Sequence, residues 1–298
     1  MLFERQKCLL ALVDALGGDV SSLDFQKLLF LYCREVEATP SYEFVPYRFG
    51  GFSFTSYADK RRLIEQGLLA DEERCWRLTI EGRAAARVAS ATRVRMDHFA
   101  RRHSSLRGDA LVAESYRRHP YYAIRSEMAE RVLAGDELAM LAIAAARPAP
   151  VRPGLCTIGY EGRTLEGYLN RLIQDGVTLL CDVRRNAFSR KYGFSKGTLS
   201  KACEGVGILY EHLPELGIAS GERQELKTQA DYDALFAMYE RESLPQQAEP
   251  LAQIRAWVKS GERVALTCFE AQPQQCHRHC VAEALAHRYG EEMRAPDL

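Results

Sequence analysis

Arg263-Val-Ala-Leu-Thr-Cys268-Phe-Glu270-Ala-Gln-Pro273-Gln-Gln-Cys276-His277-Arg278-His279-Cys280 is the stretch whose reading decides the fold. The apolar run Val264 to Phe269 predicts a buried strand, Pro273 marks a loop, and Cys276 to Tyr289 carries a helical pattern. Strand, loop and helix N-terminus in that order are the parts of an α/β unit. The unpaired N–H groups of a first helical turn can hold an anion or lower a thiol pKa, and Arg278 adds a planar cationic fork beside them.

Working upstream, the same alternation recurs. Leu155–Gly159 reads as a strand, Thr164–Gln174 as a helix, and Val177–Val183 as a strongly apolar strand. Ser195–Cys203 follows as a short helix, Ile208–Leu213 as a strand, and Tyr232–Glu242 and Leu251–Lys259 as further helices. Strands alternating with helices predict a mostly parallel, Rossmann-like sheet covered on both faces. Ligands of such sheets bind beyond the C-terminal strand ends. Here those ends carry Tyr160, Glu161 and Arg163; Asp182 and Arg184 with Arg185 and Asn186; His212 and Glu215; and Glu270 with Cys276, His277 and Arg278.

The Pro-rich segment 147–154 cannot continue a helix and predicts a linker. Before it lies an expected N-terminal domain, residues 1–146, and after it an α/β domain, residues 155–298. In the N-terminal part, Phe3–Leu16 and a segment entered at Asp24 predict helices, Tyr42–Phe49 a β segment, Ser56–Gln66 a third helix and Leu68–Ile80 a hairpin around Asp71–Arg74. That order predicts a mainly helical, winged-helix-like module able to bind DNA. From Arg83 to Ala146 the pattern is helical, with breaks at Ser104-Ser105 and near Pro120.

At 298 residues, 47% hydrophobic and 27% charged, the chain reads as soluble and globular. Its zero net charge conceals eleven Arg against five acidic residues between Arg83 and Arg131, a stripe that reads equally as a phosphate-facing surface or as a solvated helix face. Tyr116, Tyr121 and Tyr122 stand among Arg117, Arg118 and Arg125, a mixture suited to nucleic-acid stacking or to packing. There is no secretory leader pattern and no apolar run of about 18 residues, so a cytoplasmic protein without membrane contact is expected. Nine scattered cysteines are expected to be reduced.

Five motifs in order, Thr157-Ile-Gly-Tyr-Glu-Gly-Arg-Thr164, Cys181-Asp-Val-Arg184, Ser189-Arg-Lys191, Tyr210-Glu-His-Leu-Pro-Glu-Leu-Gly217 and the Cys268–Arg278 stretch, resemble the domain-of-unknown-function 488 family over about residues 154–289. Phe25–Leu31, Tyr47–Phe52, Leu63–Leu68 and Trp76–Thr79 resemble the Panacea or SocA-like antitoxin-associated domain, although Gly51-Phe52 stands where that family has Pro-Tyr or Pro-Phe. The resemblances imply a setting in stress response, phage defence or DNA processing. The first family gives no reaction.

For Asp182-Val-Arg184 two readings stand: a pair that fixes the next loop, or a carboxylate for acid–base or metal work beside an anion-holding guanidinium. Ser189, Arg190 and Lys191 are expected to clamp a phosphate. Cys276 has three readings. It is a nucleophile with His277 or His212 as base, a metal ligand with His279 and Cys280, or a structural thiol. The placement is similar to rhodaneses and cysteine phosphatases, but their loop of Cys, five residues and Arg is lacking.

The expectation is an enzyme, hydrolase or transferase, directed at a phosphate-bearing nucleotide or nucleic acid. Asp182, Arg184, Glu270, Cys276, His277 and Arg278 are its catalytic candidates, and Tyr160, Arg163, Ser189, Arg190, Lys191, His212 and Glu215 its substrate contacts. The rival expectation is a non-catalytic DNA- or protein-binding regulator whose α/β domain senses a small anionic ligand. The cofactor is left open, with a divalent metal compatible, as is the oligomeric state.

Overall fold

A computed structural model describes residues 2–219, 221 and 226–298, which divide into two units, Met1–Arg147 and Pro148–Leu298. In the first, α1 (Glu4–Ala15) leads through β1 (Asp19–Ser21) to α2 (Ser22–Glu35). Ser21 caps α2, its Oγ accepting from the Asp24 N–H, so Asp24 lies in the first turn and not at the cap. Every residue from Phe25 to Cys33 is buried, including Gln26 and Lys27, which makes α2 the helix the unit is built around.

The expected β segment is split into a tight pair, β2 (Val45–Tyr47) and β3 (Gly50–Phe52), antiparallel to each other, and α3 (Phe54–Glu65) follows from the Ser53 cap. The expected hairpin is reduced to one antiparallel bridge, Leu69 to Leu78. β4 (Cys75–Arg77) pairs instead with β1, Asp19 opposite Arg77. The buried Lys60 ammonium holds the segment between the two arms, donating to the carbonyls of Glu72 and Cys75 at 2.8 and 2.7 Å.

Five helices complete the unit: α4 (Ile80–Ala85), α5 (Ser90–Arg102), α6 (Gly108–Arg118), α7 (Ala129–Val132) and α8 (Glu137–Ala145). Much of the arginine stripe is spoken for within it. Arg83 and Arg93 share Asp14, Arg117 reaches Asp136, Arg118 pairs with Glu35 and Glu114, and Arg131 binds Asp109. Tyr116 is buried with its hydroxyl on Ser126, and Tyr122 packs edge-on against Phe30. Tyr116, Tyr122, Arg117 and Arg118 of the aromatic and cationic mixture are thus engaged in packing and ion pairing.

The second unit runs β5 (Gly154–Gly159), α9 (Leu165–Gln174), β6 (Leu179–Asp182), α10 (Lys196–Gly205), β7 (Leu209–His212), α11 (Gln229–Met238), α12 (Ala248–Lys259), β8 (Arg263–Cys268) and α13 (Arg278–Tyr289). All four strands are parallel in the order β5-β8-β6-β7. The period of two assigns the faces. Leu179, Cys181, Val264 and Leu266 join Leu235, Ile254, Val281 and Leu285 of α11, α12 and α13 in one core. On the other face the Tyr168 hydroxyl of α9 donates to Thr267 at 2.7 Å. β8 is buried from Val264 to Cys268, as a central strand must be, and β7 alternates between exposed and half-buried.

Candidate functional site

Beyond the C-terminal ends of β5, β6 and β8 lies a hollow of about 270 Å³. Tyr160, Arg184, Arg185, Asn186, Phe188, Ser189, Arg190, Ile218, Cys268, Phe269 and His277 line it. Two glycines permit this rim to close. A Cβ on Gly159 would stand 1.9 Å from the Glu270 carbonyl, and one on Gly217 would stand 2.0 Å from the Arg185 nitrogen, so both loops approach backbone to backbone.

The Asp182–Arg184 pair is the most tightly bonded part of the rim. The Arg184 Nε and Nη2 donate to the two carboxylate oxygens at 2.8 and 2.6 Å, and Nη2 and Nη1 reach the Phe194 carbonyl and the Tyr160 hydroxyl. Tyr210 donates to the same carboxylate at 2.6 Å. Asp182 is fully buried and Arg184 5% exposed. Burial alone would lower the Arg184 pKa, but the Asp182 carboxylate outweighs it and raises it, and burial together with that carboxylate also pushes the Tyr210 hydroxyl above its ordinary value. This is the loop-fixing arrangement. Asp182 stands behind Arg184, and of the pair only Arg184 lines the hollow.

Other expected contacts are engaged elsewhere. The Lys191 ammonium donates to the Tyr160 carbonyl at 3.0 Å and Arg163 to the Leu298 carbonyl at 2.8 Å, and neither is among the lining residues. His212 Nε2 donates to the Arg184 carbonyl at 2.8 Å, leaving Nδ1 to accept from Lys196. Both ring nitrogens are thus engaged in holding the arginine loop and Lys196. Glu215 is exposed on the turn Pro214–Leu216 and is not among the lining residues.

Arg278 is fully buried. It donates to the Glu270 and Ala271 carbonyls at 2.5 and 3.0 Å, reaches Asp297 at 3.0 Å and lies against the Cys276 thiol. The guanidinium therefore pins the 270–271 loop from below and does not line the hollow. Ser189, Arg190, Tyr160, Arg184 and His277 are the expected residues that the fold brings together there.

Cys276 is fully buried just before α13. Burial pushes its thiol well above the ordinary range, Cys268 and Glu270 push it further, and Arg278 only partly opposes them. The thiolate that a nucleophile needs is thus disfavoured, against the lowering expected at a helix N-terminus. Nor do His279 and Cys280 join it. They group with Glu240, and the His279 Nδ1 is taken by the Cys276 carbonyl at 2.6 Å. The neighbours of Cys276 are Cys268 and His277: the three ligand-type atoms lie within 4.8 Å of one another, all buried. The Cys268 Sγ is also 3.3 Å from a Glu270 carboxylate oxygen.

Cys268 was legible only as a strand hydrophobe. The signal that finds it is spacing, a cysteine at the end of β8 eight residues before a Cys-His pair. Arg185, Asn186, Phe188 and Phe269 follow from the two strand ends themselves.

No curated protein and no solved structure matches the chain. Residues 164–285, which contain β6, β7, β8 and every lining residue of the hollow except Tyr160, match the family model described as "Domain of unknown function DUF488", and the match supports placing the C-terminal unit in that family.

Proposed function

We propose that the hollow receives the phosphate of a nucleotide-bearing substrate, and that the protein is a hydrolase-like enzyme acting on nucleotides or nucleic acid. One observation carries this reading: three guanidinium side chains, Arg184, Arg185 and Arg190, converge on a cavity walled by the exposed rings of Phe188 and Phe269. Guanidinium forks suit phosphate oxygens, and open aromatic faces suit bases. Arg184 is preorganised by Asp182, whereas Arg185 and Arg190 are exposed and can close on a ligand. The test is equilibrium binding of nucleoside mono- and diphosphates and of short single-stranded oligonucleotides, followed by assay for turnover. Arg185→Ala and Arg190→Ala are each expected to weaken binding by about tenfold. Unchanged affinity in both variants overturns the reading, and binding without turnover favours the anion-sensing regulator.

For the N-terminal unit we keep the winged-helix-like reading. The order α1-β1-α2-α3-β4, interrupted by the β2–β3 pair between α2 and α3, the β1–β4 pair and the Leu69–Leu78 bridge support it. Arg61 and Arg62, exposed on α3, are the side chains it would present to a phosphate backbone. The stress-response, phage-defence or DNA-processing setting rests on the sequence resemblances alone.

A further inference from the structure

We propose that Cys268, Cys276 and His277 bind a divalent metal ion of the zinc class beneath the floor of the hollow. A tetrahedral zinc with Zn–S near ~2.3 Å and Zn–N near ~2.0 Å sets its sulfur and nitrogen ligands roughly 3.5 to 4 Å apart. The Cys268 Sγ and the His277 Nδ1 are 3.7 Å apart, and the trio as a whole falls within 4.8 Å. The Cys268–His277 separation is that of two ligands on one zinc, and the third atom lies within about an ångström of the same spacing.

The imidazole is set in the required state. His277 Nε2 lies 2.9 Å from the Val183 carbonyl, and a carbonyl only accepts, so Nε2 carries the proton and Nδ1 turns its lone pair to Cys268. A ligand histidine held by a carbonyl on its far nitrogen is the usual outer-shell arrangement. The scaffold is rigid as well: Cys268 ends β8, Cys276 and His277 enter α13, and Arg278 ties down the loop between them.

Two sulfurs and one imidazole select zinc-class ions over magnesium or calcium, which prefer oxygen. Cys268 and His277 also line the hollow, and Glu270 stands 3.3 Å from the Cys268 sulfur, so the fourth position falls to Glu270 or to water entering from the rim. A zinc-bound water has a pKa of about 7. That chemistry would supply the hydrolytic reading with a nucleophile, yet metal binding does not depend on that reading. The second cluster is a poorer site, because Glu240 is exposed and the His279 Nδ1 is already engaged.

The experiment uses the full chain purified with a thiol reductant, stripped with chelator and reloaded with Zn²⁺ or Co²⁺. One zinc per chain that survives dialysis, and a cobalt spectrum with sulfur-to-metal charge transfer and tetrahedral bands, are expected. Cys268→Ser and Cys276→Ser should each lose the stoichiometric ion, and His277→Gln should lose it or weaken it at least ~10-fold. Cys280→Ser should retain it. Circular dichroism checks that each variant folds, and the cobalt spectrum of the unsubstituted chain stands on its own if one does not. Absence of stoichiometric metal, an octahedral cobalt spectrum without sulfur bands, or loss on Cys280→Ser overturns the proposal. So does a Cys268–Cys276 disulfide that forms under the same reducing conditions.

Discussion

Asp182 and Arg184 show what one residue pair does for the whole rim. The pair is buried and bidentate, and Tyr160, Tyr210 and the Phe194 carbonyl complete its bonds. Removing one partner leaves the other charge uncompensated, so Asp182→Ala is expected to cost about 3 to 5 kcal/mol. The double change Asp182→Leu with Arg184→Met should be milder than the sum of the singles. Urea denaturation followed at Trp257 measures all three, and strictly additive losses would show that the pair is not coupled. Such a pair was legible as Asp-x-Arg at a strand end, but its purpose was not. Whether a carboxylate works on substrate or on its neighbour depends on what closes over it, here Tyr210 from the adjacent strand, and no local spacing records that. Cys268 was obscured for the opposite reason, since a small thiol in an apolar strand reads as core until Cys276 and His277 arrive beside it.

At the scale of the element, amphipathic and apolar periodicity located every strand of the sheet and most helices, with ends off by a residue or a few. The order β5-β8-β6-β7 was not written in any one strand, because parallel pairing sets β8 between β5 and β6, both far upstream of it in the chain. The unbroken burial of Val264 to Cys268 was the available hint of a central strand. α2 offers a test of what such burial costs. Lys27 is 2% exposed and donates to the Gly51 carbonyl at 3.0 Å, and burial lowers its pKa to about 7. An unfolded lysine titrates near ~10.4. Between these values the unfolded chain holds a proton that the folded chain has released, so this group makes stability rise with pH from about 7 to about 10. Burial raises the Cys8 and Cys33 thiols, and they act the other way once unfolded thiols ionise. The measurement is therefore a difference. In a Trp257→Phe background, where Trp76 reports the first unit, the unfolding free energy of the Lys27 chain minus that of Lys27→Met should climb with pH. A flat difference would mean that Lys27 stays charged inside the fold.

For the whole molecule, the balance of 40 basic against 40 acidic residues conceals two kinds of arginine. One kind is consumed internally: Arg83, Arg93, Arg117, Arg118 and Arg131 face carboxylates within the first unit, and Arg184 and Arg278 face Asp182 and Asp297 within the second. The other kind, Arg61 and Arg62 on α3 and Arg185 and Arg190 at the hollow, is exposed with no carboxylate against it in any of these pairs. Composition cannot tell these apart, since the distinction lies in which carboxylate the fold delivers to each guanidinium. The second kind meets a phosphate backbone without first giving up an ion pair. Each phosphate contact contributes about 0.9 to the slope of log affinity against log salt for duplex DNA. Arg61→Ala with Arg62→Ala is expected to lower that slope by about 2 and to leave nucleoside phosphate binding at the hollow unchanged. Arg117→Ala with Arg118→Ala, which removes equal charge from the paired class, should leave the slope within about 0.5. Equal losses from both pairs would assign DNA retention to net charge and remove α3 from the interface.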